Sequence, residues 1–570
     1  MNNFNLTPDS VDVIFAFSLY LVGVLALGVI SHRFMQRGSF VKEYFLGNRG
    51  LGPWVLALTI AATAVSGGTF MGFPSLIYTN GWVMALWIAS YMIVPLTTMA
   101  LLGKRLNQVA RISGAVTLPD VFRDRFQSPA LGLTATIIIL ICLTVNLVAQ
   151  FKAGGTVMMV AMQLPPVNVS LFGLQVERGY LIGLVVFAAT VIGYTAYGGF
   201  WAVTWTDVLE GMVMLIGVVL LAILAIGKVP EIDGKTGLDA ASERLRRINP
   251  ELVTAPGPSP KTHESAKAAT TAEPASSGFL PLGSAFSFFV MWSIIGVGQP
   301  GGMVRLMAFK DTPSLRRSIL LVAGYYVLTY IGLLIIFICA RAIFPKEYLG
   351  KMGDESRGEP DSIMPVMIRY CAPHPLIAGF LLAAPYAAIM STVAAFLLLI
   401  SSSIVRDIYQ RMIRPNASNK TLKYASIGVT VIVGIVVLIG AMNPPTFLQY
   451  IIVFSTSGLG CAFAFPMALT IFWKRTTRSG AIAGMLGGVL TVFALYGLGW
   501  IDGAGRMRES LGWLPGWGQP KFSAMAPYNL AGLDPLVWGL ALSCGLTVGV
   551  SLLTKPDETQ MRKYFPPEGG

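Results

Sequence analysis

LALTIAATAVSGGTFMGFPSLIY, residues 56–78, is apolar enough to lie in a lipid bilayer, yet it carries Gly67-Gly68, Gly72 and Pro74. Glycine and proline release backbone N–H and C=O groups. Inside a membrane this is tolerated only where protein, water or an ion satisfies the freed groups. A second stretch has the same character: FSFFVMWSIIGVGQPGGMVRLMA, residues 286–308, contains Gly296, Gly298, Pro300, Gly301 and Gly302. Glycine also allows close packing between helices, so either stretch alone has two readings. Their spacing along the chain favours interrupted helices.

Thirteen apolar segments can be read along the 570 residues, at about 11–31, 51–78, 80–102, 129–151, 179–197, 204–227, 284–304, 318–344, 372–404, 424–442, 447–473, 480–500 and 535–554. Each is about 20 residues or longer, which suits a hydrocarbon core of roughly 30 Å. None alternates in polarity as a barrel strand would. The composition agrees, with 54% hydrophobic and only 12% charged residues, against about 25% charged in a soluble domain. The expected fold is an all-α membrane protein of about 13 transmembrane helices.

The punctuated segments are the second and the seventh. Two five-helix repeats, each opening with a broken helix, are the plan of an inverted-repeat transporter. Because five is odd, the second repeat enters the membrane from the opposite side. The expected order is an extra helix (11–31), a first repeat (51–227), a long outer loop (228–283), a second repeat (284–473), two additional helices (480–554) and a cytoplasmic tail (555–570).

The net charge of +13 has a bland origin. Of the 41 Lys and Arg residues, 24 lie in the loops of one side, which makes that side cytoplasmic. The N-terminus is then outside and the C-terminus inside, in a multi-pass protein of the cell membrane with lipid as its surroundings. No basic stripe with interleaved aromatics suggests nucleic acid. The first part of the 228–283 loop reads as a short amphipathic helix. Its Pro-, Ala-, Ser- and Thr-rich remainder reads as disordered. Trp513 and Trp517 suggest a loop resting on the membrane surface. The N-terminus lacks the basic stretch of a cleaved signal peptide, so the first segment is expected to be retained. No GxxxxGK[ST] motif supports an ATP-driven pump. The five Cys and three His are scattered, which disfavours a disulfide framework, a zinc site or any cofactor. No cluster of catalytic residues at membrane depth suggests an enzyme.

The ninth segment supplies complementary chemistry. In LLAAPYAAIMSTVAAFLLLISSSIVRDIY, residues 381–409, Ser391 and Thr392 stand three and four positions after Ala388, on one helical face. A dehydrated sodium ion needs several hard oxygen donors. Two hydroxyls and the carbonyls freed at a break would supply them without a buried carboxylate. A Ser-Thr pair also bonds back to the preceding turn of its own helix, which is the ordinary alternative.

Several blocks, KEYFLGNRGLGPW (42–54), YTAYGGFWAVTWTDVLEGMVML (194–215), GQPGGMVRLMAFKD (298–311) and AAPYAAIMST followed by SSSIVRDIY, together resemble the sodium:solute symporter family over nearly the full length. The likeness extends to its sodium/pantothenate branch through LRRINPELVTAPG (245–257) and the AMNPPTFLQYI–FWKRTTRSGAIAGMLGGV region. The resemblance implies a ten-helix core of the leucine-transporter type, with sodium as the coupling ion between the second and ninth segments. Its ligands would be the carbonyls of Ala62, Val65 and Ala388 and the hydroxyls of Ser391 and Thr392. Spacing had already nominated the last three. The resemblance also gives Asp207 a role in sodium exit or coupling. Its other reading is a first-turn carboxylate stabilised by a helix N-terminus.

Two departures are informative. Some members hold a second sodium through hydroxyls where this chain has Ala394 and Ala395, so one sodium per cycle is expected. The proline-transporting branch has an acid where Ala64 stands, which makes proline a poor candidate solute.

The solute should sit near the midplane beside the breaks, where Ser66, Thr69, Trp292 and Gln299 lie; Trp292 is equally readable as packing. Gln150 and Lys152 join them. An intramembrane lysine either snorkels to the surface or serves an anionic solute such as a carboxylate. Arg305 and Glu210 read as membrane-end residues, with Arg305 able to close an inner gate against a carboxylate that the sequence does not identify. The expected function is sodium-driven uptake of a small organic solute, led by pantothenate or another carboxylate. Rivals are a sugar or amino-acid sodium symporter, a proton-coupled transporter of the same fold, and a transporter-like sensor.

Overall fold

The computed structural model describes residues 8–31, 40–162, 164, 167–171, 174–254, 282–344, 360–443, 448–503 and 527–565. Trp513, Trp517 and the Pro- and Ser-rich stretch 255–281 lie outside them. Nearly everything described is helical. Among the described residues, nine helices are long and apolar enough to cross a membrane, or eleven if each of two bent pairs is one span.

Those bent pairs are the two punctuated stretches. Pro53–Ala64 and Gly68–Met84 meet at 57°, and Ala285–Gly298 and Pro300–Ala308 at 45°. The chain turns extended at Val65 (φ −84°, ψ 100°) and at Gln299 (φ −86°, ψ 115°). Pro300 follows the second turn directly, where its missing N–H is harmless at a helix start.

The fifth and sixth predicted segments form one helical run, Arg178–Lys228. Its 51 residues would extend about 75 Å if straight, more than twice a hydrocarbon core. Gly199 turns it, with φ 56° and ψ −145°, a conformation open essentially to glycine. A Cβ there would stand 2.5 Å from the Tyr44 ring, and the Tyr44 hydroxyl donates to the Ala196 carbonyl at 2.9 Å. The third predicted segment is also helical, through Gly81–Met84, Ala85–Val94 and Pro95–Gly103. The expected amphipathic helix early in the 228–283 loop is Gly237–Ile248. A short antiparallel strand pair, Asn168–Leu171 with Leu174–Glu177, lies between the fourth and fifth segments, where no strand was expected.

The core is positioned by Pro375–Ser402, which is buried along nearly its whole length. It packs on Arg178–Lys228, Pro129–Met162, Pro8–Ser31 and Pro53–Ala64. Leu448–Phe472 packs against both breaks. At the end rich in Lys and Arg, the two broken helices are stitched together. Leu51 N–H donates to the Ala308 carbonyl (3.2 Å), and Lys310 N–H donates to the Leu51 carbonyl (3.1 Å). The last carbonyls of Pro300–Ala308 have no helical partner; the Asn107 amide donates to those of Leu306 and Met307 at 3.2 and 3.0 Å.

Candidate functional site

The break at residues 65–67 is wired by side chains. In a continuous helix the N–H groups of Ser66, Gly67 and Gly68 would bond the carbonyls of Ala62, Thr63 and Ala64. Here Ser66 N–H donates to Thr69 Oγ1 (3.4 Å), Gly67 N–H to Gln150 Oε1 (2.9 Å), and Gly68 N–H to Ser66 Oγ (3.1 Å). Three carbonyls are thereby released from the helical ladder. A buried carbonyl left without a partner costs about 1–3 kcal/mol, so something must meet them.

What meets two of them is the hydroxyl pair on Pro375–Ser402. Ser391 Oγ donates to the Ala62 carbonyl at 2.8 Å, and Thr392 Oγ1 to the Thr63 carbonyl at 3.4 Å. Both hydroxyls also lie 3.1 Å from the Ala388 carbonyl. Five oxygens therefore converge, from residues 329 positions apart in the chain. Ala62, Val65, Ala388 and Ser391 are fully buried and Thr392 is 1% exposed. Hard oxygens, neutral overall and buried between two helices, suit a small dehydrated monovalent cation. Of the expected set, Ala62, Ala388, Ser391 and Thr392 meet here, Val65 is the buried extended residue at the turn itself, and Thr63, whose carbonyl is freed by the Gln150 bracket, joins them.

Gln150 thus holds the break open rather than standing free. Its amide nitrogen donates to Asn146 Oδ1 (3.1 Å), which fixes its orientation, and a Cβ on Gly67 would come within 2.6 Å of its Oε1. Replacing Gln150 by Leu should lower apparent sodium affinity about tenfold, since one bracketing hydrogen bond of about 1.5 kcal/mol supports the ligand geometry. A sodium titration of uptake measures this directly. Unchanged affinity would detach Gln150 from the ion site.

The other solute candidates separate by exposure. Ser66, Trp292 and Gln299 stay half-buried, and Ala64 is exposed between buried neighbours, so the break opens on that side. Trp292 stacks on Tyr91 (4.7 Å between ring centroids), and Tyr91 stacks on Tyr330 (4.0 Å). The indole therefore packs and remains partly accessible. Gln299 donates to the Thr456 carbonyl at 3.1 Å. Thr69 is buried and committed to Ser66.

Lys152 does not snorkel to the surface. It is 8% exposed, and its ammonium lies 3.7 Å from Asp361 Oδ2. That same oxygen accepts the Leu448 N–H at 3.1 Å. The energetic cost of burying a lone ammonium explains why a chain segment brings a carboxylate to it.

Arg305 and Glu210, expected at membrane ends, are buried, at 5% and 0% exposure. Arg305 finds its carboxylate in Asp207. Arg305 Nη2 donates to Asp207 Oδ2 at 2.8 Å, Nε to Thr59 Oγ1 at 2.8 Å, and Nη1 to the Gly301 carbonyl at 3.3 Å. Thr59 Oγ1 also donates to Asp207 Oδ2. Asp207 sits two turns beyond Gly199, so the first-turn reading fails. Thr59 lies one turn before Ala62, so this group stands directly on the basic-end side of the ion site. Below it a cavity of about 10 Å³, lined by Phe45, Phe200, Arg305, Ala395, Leu398 and Ser402 among others, has room for about one water.

The sequence model of the sodium:solute symporter family matches residues 44–488. The sodium/pantothenate symporter of Escherichia coli (strain K12) is 31% identical over 490 residues, which cover 84% of this chain and 89% of that protein. The sodium/proline symporter of Haemophilus influenzae (strain ATCC 51907 / DSM 11121 / KW20 / Rd) is 30% identical over 487 residues, covering 84% of this chain and 87% of that one. A solved Na⁺-coupled sialic acid symporter, in a substrate-bound outward-open state, has a TM-score of 0.66 at 19% identity and covers 96% of this chain and 98% of its own. At that identity the likeness speaks for the fold, which is that of a sodium-coupled symporter with interrupted helices. The broken spans, the membrane-spanning composition and the match over most of the chain agree: this chain belongs to the sodium:solute symporter family.

Proposed function

We propose that the chain is a secondary active symporter that couples inward sodium flow to uptake of a small organic carboxylate, with pantothenate the first candidate. The observation that carries the reading is the meeting of the Ser391 and Thr392 hydroxyls with the carbonyls of Ala62 and Thr63. Sodium would enter from outside and replace the hydroxyl protons as the bridge between the first broken helix and Pro375–Ser402. That bridge orders the break, so sodium and solute bind cooperatively. The repeats 51–227 and 284–473 would then rock about the site, with the N-terminus outside and the C-terminus in the cytoplasm. Asp207 and Arg305 would form the inner gate through which the ion leaves. Membrane potential adds about 2.3 kcal/mol per charge per 100 mV. One sodium per cycle fits the buried Ala394 and Ala395, which offer no hydroxyl.

A carboxylate is favoured by Lys152. A solute carboxylate near the break could exchange with Asp361 as the partner of that ammonium, whereas a neutral solute could not. Relatives named for pantothenate and for proline are about equally similar, so the choice rests on Lys152 and on the absence of an acid at Ala64. The test is uptake in proteoliposomes with a panel of labelled solutes, with and without an inward sodium gradient. Pantothenate should accumulate only with the gradient. Lys152→Met should weaken acid uptake at least tenfold, about 1.4 kcal/mol. Unchanged affinity would remove Lys152 from the solute site.

A further inference from the structure

Glu210 lies three residues past Asp207 on the part of the long bent helix that follows Gly199, hence on the same face. It is fully buried, and among the described residues neither carboxyl oxygen has a hydrogen-bond partner. The guanidinium that serves Asp207 is occupied: its three recorded bonds go to Asp207, Thr59 and Gly301. The Asp207 carboxylate is itself within electrostatic reach of Glu210, and the remaining titratable groups around it are phenols. Tyr20, on Pro8–Ser31, and Tyr194, on the earlier part of the bent helix, are within electrostatic reach of it. Tyr386, on Pro375–Ser402, is in reach of Tyr20. Tyr325, on Thr312–Ile343, donates to the neighbouring Gly211 carbonyl at 3.0 Å. The Tyr20 and Tyr386 hydroxyls have no recorded partner either. No described Lys, Arg or His pairs with Glu210.

A bare carboxylate in this setting would bear a desolvation cost of several kcal/mol with no counter-charge to offset it. A proton on the carboxyl removes that cost. We propose that Glu210 is a proton-binding site of the sodium module, protonated while the module is closed and released to water when it opens.

The placement links the two ligands. Tyr194 donates to the carbonyl of Met390, the residue before Ser391, at 3.4 Å. The residue after Glu210, Gly211, faces Ala62, whose Cβ would lie 3.8 Å from one added there. Sodium ties Ala62 to Ser391, and a proton on Glu210 permits the same packing. Both favour one state, so each must raise affinity for the other. The neutral form belongs to the closed state, so the effect is present at low pH and is lost as pH rises. The inference rests on the sodium-symporter reading.

The test is thermal stabilisation of the purified protein by NaCl, with choline chloride as control, from pH 6 to pH 9. Apparent sodium affinity of the wild type should fall at least tenfold across that range, the limit being about tenfold per pH unit for one linked proton. Glu210→Gln, neutral at every pH, should hold its affinity constant. As a second measurement, sodium added to weakly buffered wild-type protein at pH 8 should draw protons from solution. A pH-independent wild type, or a Glu210→Gln variant that keeps the wild-type slope, overturns the proposal. So does affinity that rises with pH, because the carboxylate would then be binding a metal cation itself. Absence of any sodium-specific stabilisation would instead strike the symporter reading.

Discussion

Sodium-driven uptake should be lost when Ser391 and Thr392 are both replaced by alanine, and each single replacement should raise the sodium concentration for half-maximal uptake by about 10- to 100-fold. The range follows from about 1.5–3 kcal/mol for a hydrogen bond or ligand contact involving a charge, at 1.4 kcal/mol per tenfold. The two losses should not add, because both hydroxyls share the Ala388 carbonyl and one ion. Folding should survive, since alanine is the best helix former and the helix is held by packing along nearly its whole length. Ser401→Ala is the control. That hydroxyl is equally buried but bonds the Ser426 carbonyl, away from the break, and its loss should leave sodium dependence unchanged.

The second large effect is expected at the Asp207–Arg305 pair, the proposed inner gate. Asp207→Ala leaves the Arg305 guanidinium buried without its carboxylate, and removing one partner of a buried pair costs about 3–5 kcal/mol. The variant should show a sharply lower melting temperature and poor recovery from membranes. Asp207→Asn keeps the shape and an acceptor for Arg305 and Thr59, so it should fold, with sodium-driven uptake reduced and solute leak through the opened inner path increased. Combining Asp207→Leu with Arg305→Met should recover much of the stability, because neither charge is then stranded. Thermal unfolding in detergent, read beside uptake, separates these outcomes. An Asp207→Ala protein as stable as wild type would mean that the pair does not close this end.

The sequence made the breaks legible because glycine and proline interrupt a helix locally, at Gly67-Gly68 and at Gly298 to Gly302. It made the hydroxyl face legible because Ala388, Ser391 and Thr392 follow helical spacing. Partnerships across the bundle are another matter. Gln150 reaches Gly67 across 83 positions, and Arg305 reaches Asp207 across 98. No local pattern records which buried amide brackets a break or which carboxylate a guanidinium finds. Gln150 was therefore readable as a solute contact, and Arg305 and Glu210 as membrane-end residues. A signal was available in retrospect: charged residues within apolar segments are costly unless paired, and Asp207, Glu210 and Arg305 all stand in or beside such a segment. The membrane-spanning helices were likewise legible as apolar runs, whereas the turn at Gly199 depends on Tyr44 approaching from another part of the chain.

Equilibrium binding of labelled sodium to the purified protein, counted per chain, tests the cation site most directly. One saturable sodium per chain in the wild type, bound about 10- to 100-fold more weakly by Thr392→Ala and unchanged in Ser401→Ala, is the expected outcome. Sodium bound with equal affinity by Thr392→Ala would place the ion elsewhere and contradict the account.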